Sequence, residues 1–476
     1  MVISAAVSAA LTAAMMPSGG VAAAAGEPRQ VRAAAKVTRD FNGDGYQDMA
    51  VGTPNGTVGG KTGAGYVAVV YGSRSGLDAR RHQVVSQDSP GVPGPAEPDA
   101  GFGTSIAAGD LNGDGYADLA IGSPRYGPYD NVYYHGAVTV LFGSADGLGR
   151  AASVAGRYRL GNAVGMGDVN GDGRPELIAT ETPTNFGDVY LFDVAEGAYT
   201  VNPLPYGARR SGLTAITTGD VNGDGYADVV TSYPAVGGTP MVDLYLGSSG
   251  GLSTEATVTI EYADTAALGD INRDGRSDLV TGYISQSPAR GGEVYIRYGT
   301  HQGLPAEPDL TINQDTPGVP GTTGEYDQFG SAVAVGDATG DGYADVAIGV
   351  QGKPVDGANR AGSVVLLKGR PRGLTTAGAQ SFSQDTPGVP DTAEQDDLFG
   401  WAVSLIDFNR DGRADLAAAA VGENKRDPNS LYRGDGAVSV LPGTRSGATG
   451  TGAMAFGPAD LDAEPANAGF GWSLIP

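Results

Sequence analysis

A nine-residue acidic segment recurs seven times along the chain, and this recurrence limits the fold more than any other feature. The copies read DFNGDGYQD from Asp40, DLNGDGYAD from Asp110, DVNGDGRPE from Asp168 and DVNGDGYAD from Asp220. DINRDGRSD from Asp270, DATGDGYAD from Asp337 and DFNRDGRAD from Asp407 complete the set. Their first aspartates lie 70, 58, 52, 50, 67 and 70 residues apart. Self-similarity at such a period marks an array of like units, so the 476 residues are read as one repeat protein rather than several unrelated domains.

Side-chain oxygens at positions 1, 3 and 5 can converge on one point. The glycine at position 6 allows the sharp turn, position 7 offers its backbone carbonyl, and a carboxylate at position 9 closes the cage. This is a site for a hard cation bound by oxygen, and its opening is shared with the EF-hand loop. Six or more protein oxygens favour calcium over magnesium, which keeps its waters. The ligand sets so read begin with Asp40, Asn42, Asp44, Tyr46 and Asp48, and with Asp110, Asn112, Asp114, Tyr116 and Asp118. The third and fourth are Asp168, Asn170, Asp172, Arg174 and Glu176, and Asp220, Asn222, Asp224, Tyr226 and Asp228. The fifth is Asp270, Asn272, Asp274, Arg276 and Asp278, and the sixth is Asp337, Thr339, Asp341, Tyr343 and Asp345. The seventh is Asp407, Asn409, Asp411, Arg413 and Asp415. Up to seven structural calcium ions are therefore expected. Of the 54 acidic residues, 21 (three in each of seven loops) belong to these segments, and carboxylates so close repel one another without a cation. The competing reading is a set of Asx-rich turns without ions. Thr339 is a poorer ligand than asparagine, so the sixth site is expected to be the weakest. In the third, the longer Glu176 follows Pro175.

Each segment runs into a short apolar strand rather than a helix, as in DMAVG at 48, DLAIG at 118 and DVAIG at 345. A second strand follows, as in YVAVVYG at 66 and AVTVLFG at 137, with turns such as GSRSGL at 72 and GSADGL at 143. With 78 Gly and 29 Pro, the pattern is all-β. Several copies carry Phe-Gly eight residues ahead of the first aspartate: FGTSIAAGD at 102, FGSAVAVGD at 329 and FGWAVSLID at 399. In these features residues 37 to 476 resemble the FG-GAP repeat family, the seven-bladed β-propeller of integrin α-subunit heads and its bacterial relatives. Copies three to five depart from it, with LGNAV at 160, SGLTA at 211 and no Phe-Gly before Asp270. The resemblance implies that each acidic loop joins a blade's innermost strand to its second. Residues 27–476 are then a single propeller, and the Phe-Gly of GFGWSLIP has no acidic loop after it. Residues 470–475 are expected to fill or flank the inner-strand slot of blade one, which lacks a Phe-Gly of its own.

A net charge of −24 argues against nucleic acid as a partner. The absence of cysteine excludes disulfides and thiol chemistry. Residues 1–26 hold an apolar run ending in small residues, as a signal peptide does, although no basic residue precedes it. A start further upstream would supply one, and an Ala-rich leader is the alternative. No later stretch is long and apolar enough for a spanning helix, so an exported, extracellular monomer is expected.

GSSGG at 247–251 spells a nucleophile elbow, but it occupies the turn held by GSRSG and GSADG in other copies. His82, His135 and His301 do not recur and give Ser249 no evident base. RGD at 433–435 is read as chance, because neighbouring copies also have Gly before the strand that follows. The segments SQDSPGVPG at 86, NQDTPGVPG at 313 and SQDTPGVPD at 383 recur only in the long copies. By strand alternation they share a face with the loops after the second strand, opposite the acidic loops. On that face Tyr126, Tyr129, Tyr133, Tyr134, Arg360, Arg426, Tyr432 and Arg433 crowd an arc running from blade five to blade two. Loop elaboration on one arc reads as a binding surface. The leading expectation is a non-catalytic module that binds a protein or glycan there, as in adhesion. The alternatives are a propeller acting on polysaccharide, either a calcium-dependent lectin or a lyase with Tyr126, Tyr134 or Arg433 as base, and a purely structural surface protein.

Overall fold

A computed structural model describes residues 39–129, 134–181, 188–193, 200–204, 214–234, 238–284, 291–425 and 434–475. The leader-like segment 1–26 lies outside the described residues, as do Tyr133, Arg426, Tyr432 and Arg433. The chain forms seven four-stranded antiparallel sheets, the blades of an all-β propeller. Second strands such as Met49–Thr53, Asp118–Ser123 and Asp345–Val350 are buried along their whole length. Their apolar runs do not alternate because both faces meet neighbouring sheets. Fourth strands lie at the rim, and Ala151–Ala155 and Thr375–Phe382 are correspondingly half exposed. The apolar core is therefore divided into slabs between successive blades, such as the one holding Val294, Ile296, Phe329, Ile348 and Val365 between blades five and six.

First strands face the axis. Ser105–Gly109, Val164–Gly167, Ala215–Gly219, Thr265–Gly269, Phe329–Gly336 and Val403–Ile406 each open a blade. The innermost strand of blade one is Ser473–Leu474, paired antiparallel as Val51↔Leu474 and Gly52↔Ser473. Ile475 N–H donates to Ala50 O at 3.1 Å, and Ser404 Oγ donates to Ile475 O at 2.8 Å. Phe470 is fully buried against Phe456, and Trp401 lies 5.0 Å from Trp472. The seven first strands surround a channel of about 480 Å³ lined by side chains such as Thr104, Val164, Ile216, Leu268, Val335, Leu405 and Leu474. Arg39 is the charged residue among the described residues of that lining.

The Phe-Gly pair has a structural part at four blade junctions. The Phe102, Phe329, Phe399 and Phe470 N–H groups donate to Ala64, Gly291, Ala361 and Asp435 O in the preceding blade. Leu160 fills the same place in blade three, buried and donating to His135 O at 3.1 Å. The next glycine brings its carbonyl against a glycine of the preceding second strand. A Cβ on Gly282 would stand 2.0 Å from Gly330 O, and one on Gly349 2.2 Å from Gly400 O. The departure at LGNAV is thus conservative in packing, while Ser211 and Gly212 lie outside the described residues.

Candidate functional site

Six of the acidic loops join the first strand of a blade to its second. The loop from Asp40 leads into the second strand of blade one, whose first strand is Ser473–Leu474, and all seven lie on one face of the ring. The position-1 carboxylate organises each loop, because its two oxygens accept the N–H groups of positions 5 and 6. The first set of distances is 3.0–3.2 Å. The second is 2.7–2.9 Å. In six copies the position-3 asparagine Oδ1 accepts the position-5 N–H at 2.8–3.0 Å. The Thr339 hydroxyl instead donates to Asp337 Oδ1 at 3.3 Å. Oxygens of positions 1 and 3 thereby meet at the position-5 N–H in six loops, and the position-5 Oδ1 in turn accepts the position-7 N–H in all seven.

Position 9 is arranged differently. Asp48, Asp118, Asp228, Asp278 and Asp345 are fully buried, and Asp415 nearly so. Asp278 Oδ2 accepts Ile271 N–H and its Oδ1 accepts Gly299 N–H, both at 2.9 Å. Gly72, Gly143, Gly247, Gly369 and Gly443 donate to the corresponding aspartates at 2.9–3.0 Å. This carboxylate therefore ties the loop to the end of the third strand. Burial, with the loop's other carboxylates adding to it, pushes Asp48, Asp118 and Asp278 up to about 7. Asp228, Asp345 and Asp415 are pushed to about 6. In the third copy Glu176 reaches back to Val169 N–H at 2.9 Å and to the Asn170 amide. Burial raises its pKa as well.

The loops also stitch the blades together. The position-1 backbone carbonyl accepts the position-8 N–H of the next blade: Ala117 to Asp40, Ala227 to Asp168, Ser277 to Asp220, Ala344 to Asp270 and Ala414 to Asp337, at 2.6–3.2 Å. At the junction of blades two and three the donor position is Pro175, which has no N–H. Arginines approach the position-5 carboxylates of four loops: Arg81 to Asp44 at 3.2 Å, Arg276 to Asp274 at 2.6 Å, Arg370 to Asp341 at 2.5 Å and Arg413 to Asp411 at 2.9 Å.

The opposite face carries the long connections. The three Gln-Asp-Ser/Thr-Pro segments are self-contained turns in which Asp88, Asp315 and Asp385 each accept an N–H eight residues on, at 2.7–3.0 Å. Their glutamines Gln87, Gln314 and Gln384 are buried, a detail their sequence neighbours do not signal. Tyr126 packs against Gly94 of one such turn, and Arg360 is bound to Asp396 at 2.5 Å, so neither stands free for a ligand. Asp435 of the RGD tripeptide is buried, its carbonyl holding Phe470 N–H and its carboxylate Asn467 N–H. Ser249 lies in the turn where Ser248 Oγ donates to Gly251 O at 2.8 Å, as Ser73 and Ser144 do in theirs. The exposed large aromatic side chains among the described residues are Tyr129, Tyr158, Tyr262 and Tyr326, all in connections on this face. Tyr158 and Tyr262 stand at blades two–three and four–five, so the aromatics extend beyond the elaborated arc.

Comparison with known proteins agrees with this architecture. Residues 36–70, 102–141, 213–251, 329–367 and 399–441 match the FG-GAP repeat, and residues 168–231 match the FG-GAP-like repeat. Phosphatidylinositol-glycan-specific phospholipase D of Bos taurus is 35% identical over 150 residues, covering 30% of this chain and 18% of that protein. Integrin alpha-8 of Mus musculus is 26% identical over 286 residues, covering 59% of this chain and 21% of that protein. Integrin alpha-IIb of Homo sapiens is 28% identical over 182 residues, covering 34% and 17%. The chain thus matches only about a fifth of the length of these relatives. Seven sheets, each entered through the same acidic loop and most joined through Phe-Gly, together with these matches, make the chain a member of the FG-GAP repeat family.

Proposed function

We propose that this propeller is a calcium-stabilised, extracellular, non-catalytic module that binds a protein or glycan through the face opposite its acidic loops. The observation carrying the ligand face is the placement of Tyr129, Tyr158, Tyr262 and Tyr326, each at least a third exposed, on that one side. Tyrosine is among the residue types most enriched at binding hot spots, because a rigid amphipathic ring buries area at low entropic cost.

The acidic loops suit calcium by their donor set: oxygens from positions 1, 3, 5 and 9 with the position-7 carbonyl, all hard ligands. The arginines drawn to four position-5 carboxylates mark the same demand for positive charge. Bound calcium would neutralise the loop and hold it rigid, and the residues already described do the rest by tying most loops to their third strand and their neighbour. Among the described residues no helix is long and apolar enough to cross a membrane.

The test is a glycan and matrix-protein binding screen in calcium, followed by Tyr129→Ala and Tyr326→Ala. Each should weaken the selected ligand at least tenfold, about 1.4 kcal/mol, with little change in melting. Asp224→Ala in lean blade four should lower stability and leave affinity nearly intact. Loss of binding in a folded blade-four variant, with the tyrosine variants unaffected, would reverse the assignment of faces.

A further inference from the structure

The connections from blade five to six and from blade six to seven share one template and differ in charge. In the first, Asp327 Oδ2 accepts Gly324 N–H at 2.8 Å and Asp327 O accepts Gly352 N–H at 3.0 Å. In the second, Asp397 Oδ2 accepts Glu394 N–H at 2.5 Å and Asp397 O accepts Gly422 N–H at 3.0 Å. The glycine before each third strand then fixes one more position. Gly362 N–H donates to Lys353 O and Gly436 N–H to Glu423 O, at 2.9 and 3.1 Å, so Lys353 and Glu423 occupy the same place in their blades. The buried glutamines Gln314 and Gln384 correspond in the same way.

In blade six the place holds a cation. Lys353 Nζ lies 2.7 Å from Asp327 Oδ2, 2.7 Å from Thr322 O and 3.3 Å from Gln314 Oε1. In blade seven the lysine is Glu423, and Glu394 stands where blade six has Gly324. One oxygen of each of Glu394, Asp397 and Glu423 lies within 4.8 Å of the others. The group's formal charge passes from 0 (one Lys, one Asp) to −3 (two Glu, one Asp) with Asp397 and Glu423 almost wholly buried. Lys425 and Arg360 do not supply the missing charge, since both are bound to Asp396. Gln384 is 97% buried and reaches into the cluster, its Nε2 2.5 Å from Glu423 Oε2, while its Oε1 has no hydrogen-bond partner.

We propose that a hard divalent cation binds between Glu394, Asp397 and Glu423, with the Gln384 amide turned to present Oε1 in place of Nε2 as a fourth protein oxygen, where the Lys353 ammonium sits one blade earlier. Four protein oxygens leave room for water in the shell, and Glu394, exposed at the rim, gives the ion its route from solvent. In the absence of such an ion, burial and the facing carboxylate of Asp397 drive Glu423 up to about 8. The site is on the face opposite the seven acidic loops and shares no residue with them.

The test uses the whole chain and Glu423→Lys, which rebuilds the blade-six arrangement. Protein dialysed against manganese or calcium and assayed for bound metal should lose one ion per chain in the variant, and the variant should melt several degrees higher than the parent in chelator. Crystals of the parent grown with manganese should give an anomalous peak between the three carboxylates. An unchanged ion count in the folded variant overturns the proposal. So does a parent crystal without that peak, the result expected if Glu423 simply carries a proton.

Discussion

Asp274 and Asp278 stand four residues apart in one loop in opposite surroundings. Asp278 is fully buried between Ile271 and Gly299 N–H groups, whereas Asp274 is about a third exposed and meets Arg276. Asp278→Asn turns one acceptor into a donor facing an N–H, and should cost about 2–3 kcal/mol in chelator and more in calcium, where a ligand is lost as well. Asp274→Asn, which loses only the partly exposed Arg276 pair in chelator, should lower stability mainly in calcium. Urea denaturation under both conditions checks the pair, and equal behaviour of the two variants would contradict it. The six position-9 aspartates have folded pKa values of about 6 to 7, above their unfolded values. The metal-free fold therefore takes up protons, and its stability falls as pH rises through that range. Chelated protein should melt higher at pH 5.5 than at pH 8, and saturating calcium, which favours the ionised loops, should reverse the order. A chelated protein that melts higher at pH 8 would refute this. The residue types of the loop were legible because their spacing is local. The bracing of position 9 was not, because Gly299 lies 21 residues from Asp278.

At the scale of the strand and its turns, close backbone approach decides what a blade tolerates. Gly282→Ala would drive a methyl into Gly330 O, a backbone atom that cannot swing aside, at a cost of about 3 kcal/mol. Gly251 has a φ of +91° but open space around it, so Gly251→Ala should cost only about 1–2 kcal/mol. Comparable losses in thermal melts would mean that junction packing is looser than the contact distances imply. The strands themselves were readable from unbroken apolar runs bounded by turns. The shared template around Lys353 and Glu423 was hidden, because Gln384 meets Glu423 across 39 residues and neither residue type announces a pocket.

Across the whole ring, weak sites add up. With Kd near 10⁻⁴ to 10⁻³ M, each loop contributes roughly 0.4–1.4 kcal/mol at about 1 mM calcium. Seven such loops amount to roughly 3–10 kcal/mol, comparable with the stability of a whole domain. Chelation should lower the melting temperature strongly, and a chelated protein that melts unchanged would rule out a structural role for the ion. Removing residues 469–476 strips three buried apolar side chains, Phe470, Leu474 and Ile475, and should cost roughly 5 kcal/mol by denaturant titration. A truncated chain as stable as the parent would place the strength of the ring elsewhere.

That same strand sets a clock on synthesis. Val51 and Leu474, partners in one sheet, are 423 residues apart along the chain. At about 5–20 residues per second, roughly 20–85 s separate their appearance from the ribosome. For that interval the edge at Met49–Thr53 has no partner, and an unpaired apolar edge is a template for association with other chains. The blade translated first waits for a strand made 423 residues later, so slow elongation between the two prolongs the period in which the nascent chain needs to be held apart from its neighbours.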